Sequence, residues 1–394
     1  MTYFVGIDNS SLDHKVHILK NNGDIYSKFI IENSLDGFNK LHETIKNFDQ
    51  SMIGFELPHG PLTDFLREKN YVAYSLNPLK IKRFKETTIV SGNKDDNIDA
   101  AAIAEYMRKN SAICRPLLYN SSEIEKLKIL CIVHSRMSKE NTRYKNKLHF
   151  AIKQYFSLHE SLFTNFGCTV QIEMLMKYPT FNDLRQASED DLISFLKTNK
   201  YRVPKYIRKV IDKIKKYDQI VSPDVEYVYS LEVKMLCEIL RTVKLNLKNV
   251  EKEMESILDN HHMGHIFRSL PGAGIILGSK LLALFGDNFD RFDTANQAQC
   301  LFGTAPKNYQ SGNYHKVLMR KACNKHARAV LFKYAFESLN RSTWARVYYD
   351  EQRNKGKTHS VAIRALSNKW VKVIFKLWKD DIFYEEEKKI SSAA

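Results

Sequence analysis

A chain of 394 residues exceeds one ordinary domain and predicts two or three. Its hydrophobic fraction of 43% supplies real cores. No apolar run reaches the roughly 18 residues needed to span a bilayer, so no membrane partner is expected. The net charge of +16 is unevenly spread: Met1–Asn120 carries 15 Lys/Arg against 15 Asp/Glu, whereas Ser311–Lys379 carries 16 against 3.

A basic block interleaved with Tyr, Phe and Trp predicts a polyanionic partner, most often nucleic acid. The alternative is a solvated lysine-rich surface, which the scarcity of acids there disfavours. The six cysteines form no C-x-x-C pair and have no histidine at zinc spacing. A reduced, cytoplasmic protein without structural zinc is expected. The opening Met1–Asp8 meets an acid too early for a signal peptide.

The chain starts as β structure. Tyr3–Asp8, Lys15–Lys20 and Ile25–Ile31 are short strand-like runs, and Asn21-Asn22-Gly23-Asp24 is a hairpin turn. A helical pattern follows through Leu35, Phe38, Leu41 and Ile45. Ser51–Glu56 is the fourth strand, Pro61–Lys69 a helix, Tyr71–Leu76 a strand and Leu79–Lys85 a basic helix. Three antiparallel strands and then alternating helix and strand fit a mixed α/β sheet in the ribonuclease-H-like order.

Acids stand at the ends of these elements. Asp8 closes the first strand and Glu56 the fourth, while Asp96 and Asp99 open the alanine-rich helix that follows Gly92. Asp96 and Asp99 are three apart and share a helix face. Taken alone, such a pair is ordinarily a cap that complements the helix dipole. Asp8 reads equally as a turn aspartate. Glu56 is harder to dismiss, because a lone charge in an apolar strand costs several kcal/mol unless paired or metal-bound. Four carboxylates in one cleft repel one another and need divalent cations to stay ionised. Mg²⁺ or Mn²⁺ suits such oxygen ligands, and a pair of ions about 3.5–4 Å apart serves phosphoryl displacement.

Ser121 to about Glu160 reads as one long helix with a stripe through Leu130, Met137, Tyr144, Leu148 and Tyr155. Leu236, Leu240, Val243, Leu247, Val250, Met254 and Ile257 form a heptad seam, pairing within the chain, between chains, or both. Residues 163–228 between them are a small α-helical elaboration with no legible role. Near Phe267 a last domain begins. Leu270-Pro271-Gly272-Ala273-Gly274 before an apolar helix looks like a helix-hairpin-helix turn, whose Gly272 and Gly274 let backbone N–H groups meet a phosphate. Phe302–Gly312 follows as a loop. Ser311, beside a very basic segment, has the surroundings of a nucleophile, although on the residues alone an ordinary turn serine is preferred.

In this order Gly6-Ile7-Asp8, Glu56, Lys94-Asp95-Asp96-Asn97-Ile98-Asp99-Ala100, Leu270–Gly274, Gly303-Thr304-Ala305-Pro306, Gln310-Ser311-Gly312, Lys321 and Arg328 resemble one family, the DEDD-type transposases of the insertion sequence 110 family. The resemblance covers both ends of the chain and leaves residues 163–228 unmatched. It implies an α/β RuvC-like (ribonuclease-H-like) catalytic domain over 1–118 and an α-helical coiled-coil middle with its insertion over 119–262. A mainly α-helical C-terminal domain with a helix-hairpin-helix-like start would occupy 263–394. Asp8, Glu56, Asp96 and Asp99 would hold Mg²⁺ (or Mn²⁺), and Ser311 would form a phosphoserine link to DNA. It further implies a structured non-coding guide (bridge) RNA, donor and target DNA, and a homo-dimer assembling to a tetramer with composite sites. A bacterial or archaeal, nucleoid-associated setting follows. Lys316, Arg320, Lys321, Lys325 and Arg328 would hold phosphates near the break. Asp95 replaces the usual threonine and Gln310 a common serine, which leaves open whether Asp95 joins the metal site. Competing readings are a RuvC-like structure-specific nuclease using metal-activated water, and a non-catalytic nucleic-acid-binding protein. An actin-like or sugar-kinase phosphate loop at Gly6–Ser11 ranks lowest, since no further glycine-rich loop follows.

Overall fold

The computed structural model describes residues 1–56, 60–88, 97–312 and 314–386, and the chain divides into two units, Met1–Tyr119 and Asn120–Ala394. In the first unit β1 (Thr2–Asn9), β2 (Asp13–Lys20) and β3 (Ile25–Glu32) form an antiparallel meander. The turn between β2 and β3 places Gly23 at φ 97°, a conformation open to glycine. After α1 (Leu35–Ile45), β4 (Gln50–Phe55) returns parallel to β1 on its other side. Next come α2 (Pro61–Glu68), the short parallel β5 (Ala73–Ser75), α3 (Pro78–Thr88) and α4 (Asn97–Asn110). The resulting order, β3-β2-β1-β4-β5, is the ribonuclease-H-like order expected from the sequence.

Strand alternation divides the apolar residues between two cores. Val5, Ile7, Val16, Ile18 and Ile53 pack with Phe38 and Leu41 of α1 and Phe65 of α2. Phe4 and Leu19 face the other way, toward Ile81 of α3 and Ala102, Ile103 and Met107 of α4.

The second unit is built on two long helices, α5 (Ser122–Tyr155) and, after five shorter ones, α11 (Pro223–Asn260). They run antiparallel and join two separate cores. At one end Leu148, Ile152 and Tyr155 of α5 meet Val233, Leu236 and Leu240 of α11. This core also holds the insertion, α6 (Leu158–Leu162), α7 (Thr169–Lys177), α8 (Phe181–Gln186), α9 (Glu189–Thr198) and α10 (Pro204–Lys216). At the other end Ile124, Leu127 and Cys131 meet Met254 and Leu258. The heptad stripe is therefore buried at both ends and only half-buried at Val243, Leu247 and Val250. Between the two cores a polar bridge joins three helices: His134 lies 3.2 Å from both Glu251 and Lys280. The opposite face of α11 exposes Val228, Leu231, Met235 and Leu245.

The second core continues through α12 (Gly264–Ser269), α13 (Gly274–Phe285) and α14 (Ala295–Leu301) to the hairpin β6 (Pro306–Ser311) and β7 (Tyr314–Met319). It closes with α15 (Lys325–Ser338), α16 (Thr343–Asn354) and α17 (His359–Asp380), whose Trp370 and Trp378 are fully buried. The segment read as a loop before Ser311 is thus largely strand. Its side chains give no alternation to read, because Pro306, Lys307, Asn308, Tyr309 and Gln310 all stay exposed. No helix among the described residues is long and apolar enough to cross a membrane.

Candidate catalytic site

The register of β1 and β4 decides where two of the acids sit. Gly6 pairs with Gly54 and Ile7 with Phe55, so Asp8 and Glu56 follow at the carboxyl ends of neighbouring parallel strands. Both lie in phase with the glycines and project from the face that α4 covers. A Cβ at Gly6 would fall 2.1 Å from the Ala100 carbonyl oxygen and 2.6 Å from the Ala104 nitrogen. The missing side chain therefore lets α4 lie directly on β1, which brings Asp99, one residue before that carbonyl, to the same edge. Ala100 and Ala104, four apart on α4, supply the matching small surface.

Three of the four candidate acids consequently share one electrostatic neighbourhood. The Glu56 carboxyl is pushed above the ordinary glutamate range, first by burial, then by the negative charges of Asp99 and Asp8. Lys85 of α3 opposes this rise and donates to Asp99 Oδ1. Lys85 was visible in the sequence only as part of a basic helix, since nothing local marks a lysine that folds back on an acid 14 residues away. Asp96, together with Lys94 and Asp95, lies outside the described residues. Among the described residues no group of three Asp, Glu, His or Cys is close enough to form a ready-made metal cage. The chemistry of the donor set nonetheless fits a hard cation: three carboxylates, two of which raise the third, with the Lys85 ammonium beside Asp99.

In the second unit Ser311 is the last residue of β6, registered opposite Tyr314, and Gly312 follows at φ 55°. Lys316 on β7 and Lys321 and Lys325 beyond it are exposed. Arg328 behaves differently. Its guanidinium donates to the Arg320 carbonyl at 2.8 Å and lies against Cys323, bracing the turn that enters α15. Gly272, at φ 77°, is needed for packing, because a Cβ would come within 2.9 Å of the Glu337 carbonyl oxygen. Gly274 faces open space at the mouth of a ≈ 510 Å³ cavity bordered by Lys248, Lys252 and Lys333 and equally by Glu251, Glu255 and Glu337.

A sheet of this order with acids gathered at one edge defines the ribonuclease-H-like class. Two family models match the chain, one described as a transposase of the DEDD type over residues 5–157 and one as "Transposase IS116/IS110/IS902 family" over residues 264–350. Together they cover more than half of it. A Streptomyces coelicolor mini-circle protein named as a transposase for IS117 is 26% identical over 385 residues, spanning 94% of this chain and 92% of that protein. The 43.6 kDa protein of insertion element IS110, from the same species, is 27% identical over 74% of this chain and 72% of its own. The 42 kDa protein of insertion element IS900 from Mycobacterium paratuberculosis is 24% identical over 74% and 73%. Among solved structures, T. thermophilus RuvC in complex with a Holliday junction substrate matches at 12% identity and a TM-score of 0.22, covering 30% of this chain and 100% of that one. A likeness of that score adds nothing to the fold assignment, which rests on the strand order. The chain belongs to the IS110 family of transposases.

Proposed function

We propose that this transposase is an RNA-guided DNA recombinase that cuts and rejoins strands through a covalent phosphoserine. The observation that carries the acidic half of the reading is the convergence of Asp8, Glu56 and Asp99 on one sheet edge. With Asp96 these residues would hold Mg²⁺ or Mn²⁺, which when bound steadies negative charge on attacking and leaving oxygens. Ser311 Oγ attacks phosphorus as the bond to the 3′ oxygen breaks, so the ester energy is kept for rejoining where hydrolysis would lose it. Lys316, Lys321 and Lys325 hold phosphates beside the break, and Arg328 acts by positioning Arg320. The Gly274 helix start offers a further phosphate contact through its backbone N–H groups, beside a cavity whose three lysines are balanced by Glu251, Glu255 and Glu337.

A structured guide RNA from the element and donor and target DNA are the partners of this reading. The exposed apolar face of α11 supports self-association into dimers and tetramers, in which the acids and Ser311 of different subunits complete one site. Suicide DNA that traps covalent adducts tests the chemistry. Wild type should yield a phosphoserine at Ser311, and Ser311→Ala should yield none while still binding DNA. Cleavage by wild type without any adduct would return the water-attack nuclease reading.

A further inference from the structure

We propose that the helical insertion carries a binding site of its own for a single-stranded stretch of polynucleotide, formed by the outer face of α10 and the cavity at its end. Lys197–Lys216 contains nine Lys/Arg and one acid, Asp212. This charge is segregated, since the first turn of the neighbouring α9 is purely acidic, with Glu189, Asp190 and Asp191. The inner face of α10 is used up: Ile207, Val210, Ile211 and Ile214 are buried in the insertion's own core. That burial leaves no apolar stripe to lie in a lipid surface, which a basic amphipathic helix would otherwise suggest.

The outer face has a direction. Lys205, Lys209 and Lys216 fall on one line along the helix, spaced about 6 Å and then about 10 Å at 1.5 Å per residue. All three are exposed, and none has a carboxylate partner among the described residues. By contrast Lys215 is tied to Glu189 at 2.6 Å. The line ends at the mouth of a ≈ 380 Å³ cavity between α8, α9 and α10, which Lys216 itself borders. Its wall joins Leu184, Leu192, Ile211 and Ile214 to the rings of Phe181 and Tyr217, which meet edge to face at 5.2 Å. Arg185 and Lys216 border it together with the acids Glu189 and Asp218. A row of cations for phosphates leading to a pocket that offers aromatic rings and, in Arg185, Glu189 and Asp218, donors and acceptors for a base edge is what an unpaired nucleotide needs, its base leaving the strand to stack. A closed duplex keeps its bases inside and has no use for the pocket.

The test uses the full chain and three labelled probes: (U)15 RNA, (dT)15 DNA and a blunt 15-base-pair duplex. Affinity is measured by fluorescence anisotropy against KCl concentration for wild type and two charge-matched triple variants. One is Lys205→Gln/Lys209→Gln/Lys216→Gln. The other, on exposed lysines of the first unit, is Lys28→Gln/Lys40→Gln/Lys69→Gln. For the α10 variant the slope of log affinity against log salt should become shallower by about 2 on a single-stranded probe, at about 0.7 per phosphate contact. The control should keep its slope. Whichever of RNA or DNA shows the larger change names the source of the strand. Ala187→Trp, which fills the cavity, should weaken the same probe and spare the duplex. Equal changes in both triple variants would overturn the proposal, as would a loss confined to the duplex. So would an equal loss of binding to poly-glutamate, which would mark a surface for acidic proteins.

Discussion

Gly6→Ala is the sharpest perturbation of the acidic edge, because it adds one methyl group and touches no acid. The new Cβ would stand 2.1 Å from the Ala100 oxygen and 2.6 Å from the Ala104 nitrogen, both backbone atoms of α4. Optimal carbon contacts lie at about 3.5 Å, so the helix must retreat by about 1 Å or more. Overpacking of this kind costs about 1–3 kcal/mol, and the upper end applies where no side chain can swing aside. For a unit of this size that corresponds to a fall in Tm of about 10 °C. Asp99 travels with the helix, and a misplacement of about 1 Å in a reacting constellation costs on the order of 100-fold in rate. Gly54→Ala is the internal control: its Cβ meets Met107 Sδ at 2.4 Å, the far end of a flexible side chain. Differential scanning calorimetry and Mn²⁺ titration of the two variants separate the effects. Gly6→Ala should lose both stability and Mn²⁺ affinity, and Gly54→Ala much less of either. Wild-type Tm and Mn²⁺ affinity in Gly6→Ala would refute the claim that the α4–β1 contact places Asp99.

Three further outcomes follow from particular side chains. Glu56→Gln should stabilise the metal-free protein, since it removes a carboxylate raised by burial, Asp99 and Asp8; screening of this half-exposed group limits the gain to ~0.2–1 kcal/mol. The same variant should bind Mn²⁺ more weakly, and a drop in metal-free Tm would contradict the repulsion argument. Lys85→Met removes the ammonium on Asp99 and should lower metal-free Tm while tightening Mn²⁺ binding and making it more sensitive to salt; unchanged values in both would show that the pair does no electrostatic work at the site. His159 is fully buried beside Phe156, both ring nitrogens lack partners, and burial pushes its pKa down to about 3. Its folded pKa lies below the unfolded value of 6.5, so the unfolded chain binds the extra proton first and stability falls as pH drops below 6.5, by up to about 1.36 kcal/mol per pH unit. Urea unfolding between pH 6.5 and 4.5 should show this slope in wild type and a shallower one in His159→Leu.

The acidic edge was legible because its signals are local. Alternating apolar runs and the Asn21–Asp24 turn fix the first strands, and an acid ending an otherwise apolar strand is costly enough to draw notice at Glu56. What escaped depends on contacts made far along the chain. Lys85 meets Asp99 across a helix–helix packing, and no spacing rule reports such a meeting. Arg328 counts as one more positive charge in a sequence, yet its guanidinium is engaged by a carbonyl eight residues earlier. Of the heptad seam read on α11, Leu236, Leu240 and Met254 are buried while Val243, Leu247, Val250 and Ile257 are only half-buried. The sequence could not report this interruption, because the His134–Lys280–Glu251 bridge draws its members from three helices.

Gly6 shows how local and distant signals combine. In sequence it is one of 15 glycines and sits in a strand, where glycine is ordinarily a weakness. Only the pairing of Gly6 with Gly54, and of both with Ala100, Ala104 and Met107, turns that weakness into the groove that seats α4. The acids are therefore held together by what β1 and β4 lack on that face. Since Asp8 and Asp99 both raise Glu56, this packing, together with charges such as Lys85, offsets the repulsion among them. A site assembled against its own electrostatics stores an affinity for cations, and loosening α4 should release it.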